Sequence, residues 1–366
     1  MGMSLQPSPD RSDTSNEARL ARYTTVSTEL ALLSDRRLAR LVAEARPIGS
    51  GIGGRSVLLE IADTPVFAKL VPLTDLEKRP ENVMSTANLF NLPLFFQYGL
   101  GSPGFGVWRE LAAHVMTTNW VLGKQCEHFP LLYHWRVLPG STSAQTLTSD
   151  EQAEIERLIT FWGNSPAVCE RFDAITRASA HVILFLEYIP QILQDWLTEQ
   201  VAIGEEAVAS ACSVVERELK TTVAFMNAKG LMHFDAHFRN ILTDGRHLYF
   251  ADFGLATSSR FELSEAELTF LNLHASHDAC YVVTQLVDWL VMTYTDASGP
   301  GERIEYIRRY AYGDSPINVP PVVAEMIKRH APTAFIMYDF YRNLYLESRT
   351  TPYPLDAIQQ VYKPDQ

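Results

Sequence analysis

Cysteine is scarce in this chain of 366 residues. The four present, Cys126, Cys169, Cys212 and Cys280, lie far apart and form no C-x-x-C pair. That spacing excludes a disulfide frame or a clustered thiolate zinc site, and it reads as reduced core thiols of an intracellular, cytoplasmic protein. Positive charge is also short: 31 Lys and Arg stand against 43 Asp and Glu, a formal net charge of −12. A nucleic-acid surface needs a basic footprint, so no nucleic-acid partner is expected. The acidic balance is compatible with a cationic substrate drawn to an acidic cleft, and equally with plain solubility. Long apolar runs are missing. The best, His181 to Pro190, is short and contains Glu187, so no membrane span is expected. The opening MGMSLQPSPDRSDTSN has no apolar h-region, and Gln6 spoils the myristoylation pattern that Gly2 begins. Residues 1–24 read as a polar, disordered arm. Internal repeats are absent too.

What is present is an ordinary globular composition, 46% hydrophobic and 20% charged, long enough for a full core. Within it one stretch stands out, LMHFDAHFRNILTDGRHLYFADFGLA, from Leu231 to Ala256. His233, Asp235 and Asn240 spell H-x-D-x-x-x-x-N, and Asp252 opens D-F-G. Between them Asp244-Gly245 centres a turn flanked by two apolar runs, the signature of a short hairpin. Such a hairpin brings Asp252 back beside Asn240, with Asp235 at one end of the same small surface. A carboxylate and an amide oxygen are hard ligands that suit Mg²⁺. A second carboxylate, free of metal, can orient and deprotonate a hydroxyl. A plainer reading makes these residues turn formers in a polar loop. Both halves in this order and separation have odds of roughly one in ten thousand from average composition, which favours the chemical reading.

The stretch resembles the catalytic core of the protein-kinase-like superfamily. HFDAHFRN is closer to the aminoglycoside phosphotransferase and choline kinase branch, which carries a second His two residues after the base, as His237 does here. The resemblance implies Asp235 as the general base and Asn240 and Asp252 as metal ligands, with ATP and Mg²⁺ as cofactors. It also implies an α+β, two-lobed protein-kinase-like fold, with a small antiparallel β-rich N-lobe and a larger, mainly helical C-lobe. On that reading residues 25–188 form the nucleotide-covering lobe with insertions. Residues 189–366 hold the catalytic loop, metal site and acceptor site.

Upstream, apolar residues recur at helical spacing from Ser27 to Ala45, and Ser34 is placed to cap a second helix near Asp35. A glycine run follows, with Gly49, Gly51, Gly53 and Gly54, then two strand patterns. The second strand, Val66-Phe67-Ala68-Lys69, resembles the V-A-I-K signature. Glycines let backbone N–H groups approach phosphate oxygens, and Lys69 can reach the α- and β-phosphates; a flexible hairpin turn is the alternative for the glycines. The resemblance pairs this Lys with a helical Glu. Glu110 in WRELAAH is the candidate, with Glu77 and Glu81 as rivals, and Thr74 to Gly106 is then an insertion. Strands are expected at Leu131–Leu138 and His181–Tyr188, with a helix from Glu151 to Trp162 between them. The segment after the second strand, Glu187 to Ile189, fits the hinge whose backbone meets adenine, or is simply a buried strand end.

A helix from Glu205 to Lys229 delivers the chain to the Asp235 loop. His233 supports backbone geometry, Arg239 is a surface or structural residue, and His237 is left open between phosphate, substrate and packing. Asp278, near the start of an apolar helix, resembles the Asp that braces the catalytic-loop backbone. No A-P-E follows D-F-G, and the gap to Asp278 is short for a peptide-docking segment. The tail is rich in aromatics around Tyr338 to Tyr345, which with Asp339 and Glu347 either wall an acceptor site or form core. The resulting expectation is transfer of the γ-phosphoryl of ATP to a hydroxyl of a small molecule, an aminoglycoside-like antibiotic or a metabolite, of cationic character if the acidic charge steers it. The alternatives are a Ser/Thr protein kinase and a catalytically silent scaffold.

Overall fold

The computed structural model describes residues 15–51, 54–140, 148–297, 299–316 and 319–362. The chain opens with two helices, α1 (Asn16–Leu32) and α2 (Asp35–Glu44). Ser15 and Ser34 cap them by accepting from the backbone N–H of Ala18 and Arg37, which satisfies donors that a helix start otherwise leaves orphaned. Leu30, Leu38 and Val42 are buried at the expected spacing. Residues 16–24, however, are helix and not part of a disordered arm. A polar face hid this, because α1 buries Arg19 instead of an apolar residue at that point. Residues 1–14 lie outside the described residues.

Five antiparallel strands form the main sheet: β1 (Arg46–Gly51), β2 (Gly54–Ile61), β3 (Thr64–Leu73), β4 (Leu132–Pro139) and β5 (Ala180–Glu187), in the order β1-β2-β3-β5-β4. The glycine run, expected as a loop, is strand as far as Gly51, which pairs with Gly54. Alternation along β3 buries Val66, Ala68 and Leu70 on one face and leaves Phe67, Lys69 and Val71 on the other. That second face is covered by helix α3 (Val107–Leu122), whose Trp108 and Leu111 pack with Val71, Val182 and Leu184.

Between β4 and β5 the chain forms α4 (Ser149–Phe161) and α5 (Pro166–Thr176). The sequence pattern foresaw the first and missed the second. With residues 74–106 these helices build a satellite core of Phe90, Phe96, Phe105, Leu158, Trp162 and Phe172.

The remainder is mostly helical. A short strand β6 (Gln191–Ile192) precedes α6 (Leu193–Ile203) and the long α7 (Glu205–Ala228). Val215, Leu219, Val223 and Met226 of α7 are fully buried, as their spacing requires. The stretch 231–256 then gives β7 (Leu231–Met232) and the hairpin β8 (Ile241–Thr243) and β9 (Leu248–Phe250). Strand β10 (Thr257–Ser258) returns to pair with β7. Helices α8 (Glu265–Leu273), α9 (His277–Tyr294), α10 (Pro300–Ala311), α11 (Pro321–Leu346) and α12 (Leu355–Val361) complete the chain. Among the described residues no helix is long and apolar enough to cross a membrane. All four cysteines are unpaired.

Candidate active site

The hairpin does what its sequence requires. Asp244 Oδ1 accepts the N–H groups of Arg246 and His247, and Gly245 sits at φ +85°, so the chain reverses between Thr243 and Leu248. Past the hairpin, Ala251 donates its N–H to the carbonyl of Asn240 at 2.9 Å. Asp252 is thereby set beside Asn240. The Asn240 amide nitrogen donates to Asp235 twice, to its carbonyl at 3.0 Å and to Oδ2 at 2.9 Å. This fixes the amide and turns its oxygen, the only atom able to ligate a metal, to the other side.

The loop around Asp235 is held from behind. Buried Asp278 accepts the N–H of His233 at 2.6 Å and of Phe234 at 2.9 Å, which stabilises Phe234 in the left-handed region at φ +61°. Burial alone would raise the Asp278 carboxyl, but its bonds with His277 and the nearby His233 hold it below the usual range. His233 Nε2 donates to Ala251 O at 3.0 Å while Nδ1 accepts from Asp235 N. Burial lowers the pKa of this ring and keeps it neutral. It is a backbone brace, as expected.

Lys69 joins the sheet to this surface. Its ammonium donates to Glu110 Oε1 at 2.6 Å and to Asp252 Oδ1 at 2.7 Å. The pairing selects Glu110 over its rivals. Glu77 is buried in a different network with Thr74, Val107 N and Arg171, and Glu81 is exposed. Dehydration pulls the Asp252 carboxyl upward only in part, since 48% of its side chain is open to the cleft; the Lys69 charge and hydrogen bond win and hold it down to about 2. Asp235 has no such cation in contact. Burial, reinforced by the Asp252 charge, pushes its carboxyl up to about 7. Two carboxylates at one surface are thus driven apart, one permanently ionised and one poised near neutrality, the pattern that separates acid–base from charge-holding roles.

The other candidates are placed as follows. Gly49 and Gly51 lie on β1 and Gly54 opens β2, next to Lys69 through the pairing of Ser56 with Lys69. Gly53 lies outside the described residues. Gly54 has two local reasons to be glycine: a Cβ there would sit 2.2 Å from Leu70 O, and its φ is +126°. Gly49 has open space around its Cα. Glu187 ends β5, but its carboxylate is taken by Arg19 at 2.9 and 2.7 Å and by Leu131 N, and its own N–H goes to Leu131 O. Only the backbone after it, through Ile189, runs on toward β6. His237 Nε2 stands 3.8 Å from Asp235 Oδ1, at the mouth of the site rather than in the core. Tyr338 donates to Asp288 and Phe340 is core, while Asp339 and Glu347 line an open groove of about 560 Å³ with Phe335 and Asn343.

Sequence reasoning missed several neighbours. His114 is fully buried one turn beyond Glu110, with no hydrogen-bond partner for either ring nitrogen among the described residues, and burial drops its pKa to about 3. With His233 it brackets Phe253 at 4.9 and 5.1 Å. The 74–106 segment reaches the site: a Cβ on Gly99 would lie 3.7 Å from Asp235 Oδ1, and one on Gly104 would strike Gly254 O at 2.1 Å. Only the glycines in that segment hinted at so close an approach.

Arg19 is the third surprise. Its guanidinium also donates to the carbonyls of Glu127 and Phe129 and is 2% exposed. Arg19→Ala leaves Glu187 buried without its counter-charge and is expected to lower unfolding free energy by about 3–5 kcal/mol, read from urea denaturation. A loss below about 1 kcal/mol would show that water replaces the guanidinium there. No family model matches the sequence, and no curated protein matches it significantly.

Proposed function

We propose that this protein is an ATP- and Mg²⁺-dependent phosphotransferase of protein-kinase-like, two-lobed architecture that moves the γ-phosphoryl group to a hydroxyl of a small molecule. The reading rests on one observation: Lys69, bound to Glu110, meets Asp252 at the surface where Asn240 is bonded to Asp235. Hard oxygen donors from Asn240 and Asp252 suit Mg²⁺, and the ordered amide and the open face of Asp252 fit that role. Bound there, the ion would neutralise phosphate charge. Lys69, oriented by Glu110, would hold phosphate oxygens at the sheet side, and the β1–β2 hairpin would cover them. Asp235 would accept the proton of the attacking hydroxyl, with Asn240 fixing the carboxylate that receives it.

A small acceptor is favoured over a polypeptide by what covers the segment after Asp252. Gln97 bonds Leu255 O, Thr86 bonds Glu262 N, and Arg109 of α3 pairs with Glu267 at 2.6 Å, so residues 74–106 and the start of α3 cover this segment and would obstruct an extended peptide there. Tyr281 and Tyr341 pack against each other and against His277, the neighbour of Asp278 that braces the Asp235 loop.

ADP release with a panel of hydroxylated metabolites and aminoglycosides, run beside generic protein substrates, tests the reading. Stimulation by a small molecule and not by protein is expected. Failure of ATP with Mg²⁺ to raise the melting temperature at all would set the proposal aside. The pH profile is a second check. Because the base works ionised, kcat/KM should climb with pH through an apparent pKa of about 7 and level off above it. A flat profile from pH 5.5 to 8.5 would remove Asp235 from the proton-accepting role.

A further inference from the structure

Away from the cleft, three side chains from distant parts of the chain converge. His128 lies in the loop before β4, Glu218 on α7, and His247 in the turn before β9, and one ligand atom from each lies within 4.8 Å of the others. His247 Nδ1 is 3.3 Å and His128 Nδ1 is 3.6 Å from the Glu218 carboxylate. We propose that His128, Glu218 and His247 form a binding site for a Zn²⁺-class divalent ion, separate from the candidate catalytic centre.

The chemistry and the framing of the three groups support this. Two imidazoles and one carboxylate are a sufficient protein set for a tetrahedral Zn²⁺ whose fourth position is water. Bond lengths of about 2.0–2.1 Å place tetrahedral ligand atoms roughly 3.3 Å apart. The His247–Glu218 edge, to Oε1, is already near that value, while His128 is closest to the other oxygen, Oε2, so the set needs a modest contraction around one oxygen. His247 is able to supply it, being 41% exposed on a turn. The other two groups are fixed. Glu218 Oε2 accepts Leu248 N at 2.8 Å, and the His128 carbonyl accepts Phe250 N at 2.9 Å. The Leu248 carbonyl lies 3.0 Å from His128 Nδ1; His128 would give up this contact on binding the ion through Nδ1, since a ligating nitrogen carries no proton to donate.

Glu218 is a buried carboxylate whose neighbours are a backbone amide and two imidazoles. It sits on the buried face of α7 among Val215, Leu219 and Thr222, where an ionised carboxylate needs strong compensation. Arg217, 65% exposed, stays 3.7 Å away. A divalent ion supplies that compensation, and Arg217 can turn to solvent when it binds. The ion would staple α7, the loop before β4 and the hairpin that leads to Asp252, so its role is to hold these elements together.

The test uses the full chain, stripped with EDTA and desalted, then titrated with Zn²⁺ alone by calorimetry and with Co²⁺ alone by visible absorption. One equivalent of Zn²⁺ should bind, and Co²⁺ should show the intense band of a tetrahedral site. His247→Gln, at the exposed ligand, and the double variant with His128→Gln should each weaken Zn²⁺ by more than the roughly 10–100-fold that loss of a supporting contact costs. Their circular dichroism should match the parent. Asp252→Ala should keep the full affinity. The proposal is overturned if the parent takes up no Zn²⁺, if both His variants bind as the parent does, or if uptake disappears only in Asp252→Ala.

Discussion

Asp235→Asn is expected to lower kcat for phosphoryl transfer by about 10²–10⁴-fold while changing ATP affinity only a few-fold. The asymmetry follows from position. Asp235 reaches no part of the Lys69–Glu110–Asp252 group directly; its bonds run to Asn240, and its ionisation is what the reaction would use. The amide of the variant can still accept from Asn240, so the loop should keep its shape. The same substitution has a second readout. Folding raises the Asp235 pKa from an ordinary 3.8 to about 7, so the native state prefers the protonated form. Ionisation therefore costs stability increasingly from about pH 4 to pH 7. The Asn variant should melt above the parent at pH 8, and the gap should close below pH 4. Parental turnover together with no stability gain at pH 8 would show that the carboxylate is neither dehydrated nor used.

Asp252→Ala is expected to remove Mg²⁺-dependent nucleotide binding and to reduce turnover on the order of 10³-fold or more, since it deletes both an oxygen ligand and the anion that holds Lys69 at the surface. Lys69 then keeps only Glu110. Thermal shift with ATP, measured with and without Mg²⁺, reads the loss. An Mg²⁺-dependent shift equal to the parent's would place the metal elsewhere. The variant also reports on its neighbour. The Asp252 charge is, after burial, the main cause of the raised Asp235 pKa. Removing it should move any residual pH–rate rise toward lower pH.

Much of this site was legible because it is local. His233, Asp235, Asn240 and Asp252 are tied together by one loop and one hairpin, and the Asp244-Gly245 turn that folds them is written in a handful of residues. Lys69 was readable from the strand carrying it, and Glu110 only as one of three candidates, with Glu77 and Glu81, for the helical partner that the resemblance implies. What escaped was long-range. Glu187 looked like a strand end facing a ligand, yet its carboxylate is consumed by Arg19, which sits in a segment whose composition suggested disorder. No periodicity announces that a single arginine on a polar helix is buried. Helix α5 and the role of residues 74–106 were hidden for a similar reason. Their apolar residues satisfy one another in a separate cluster, and nothing in the local pattern says that Gly99 and Gly104 lie against Asp235 and Gly254. Nothing local marks Glu218; its meaning depends on two histidines far away in sequence.

The Arg19 anchor has a practical consequence for anyone trimming this chain. A clone started at residue 25, where a composition-based boundary falls, would look tidier and discard the guanidinium that neutralises the end of the central sheet. The carbonyls of Glu127 and Phe129 would lose their donor in the same cut. The first helix is better regarded as the clasp of the molecule than as its tail, and shortened versions should begin no later than Ser15.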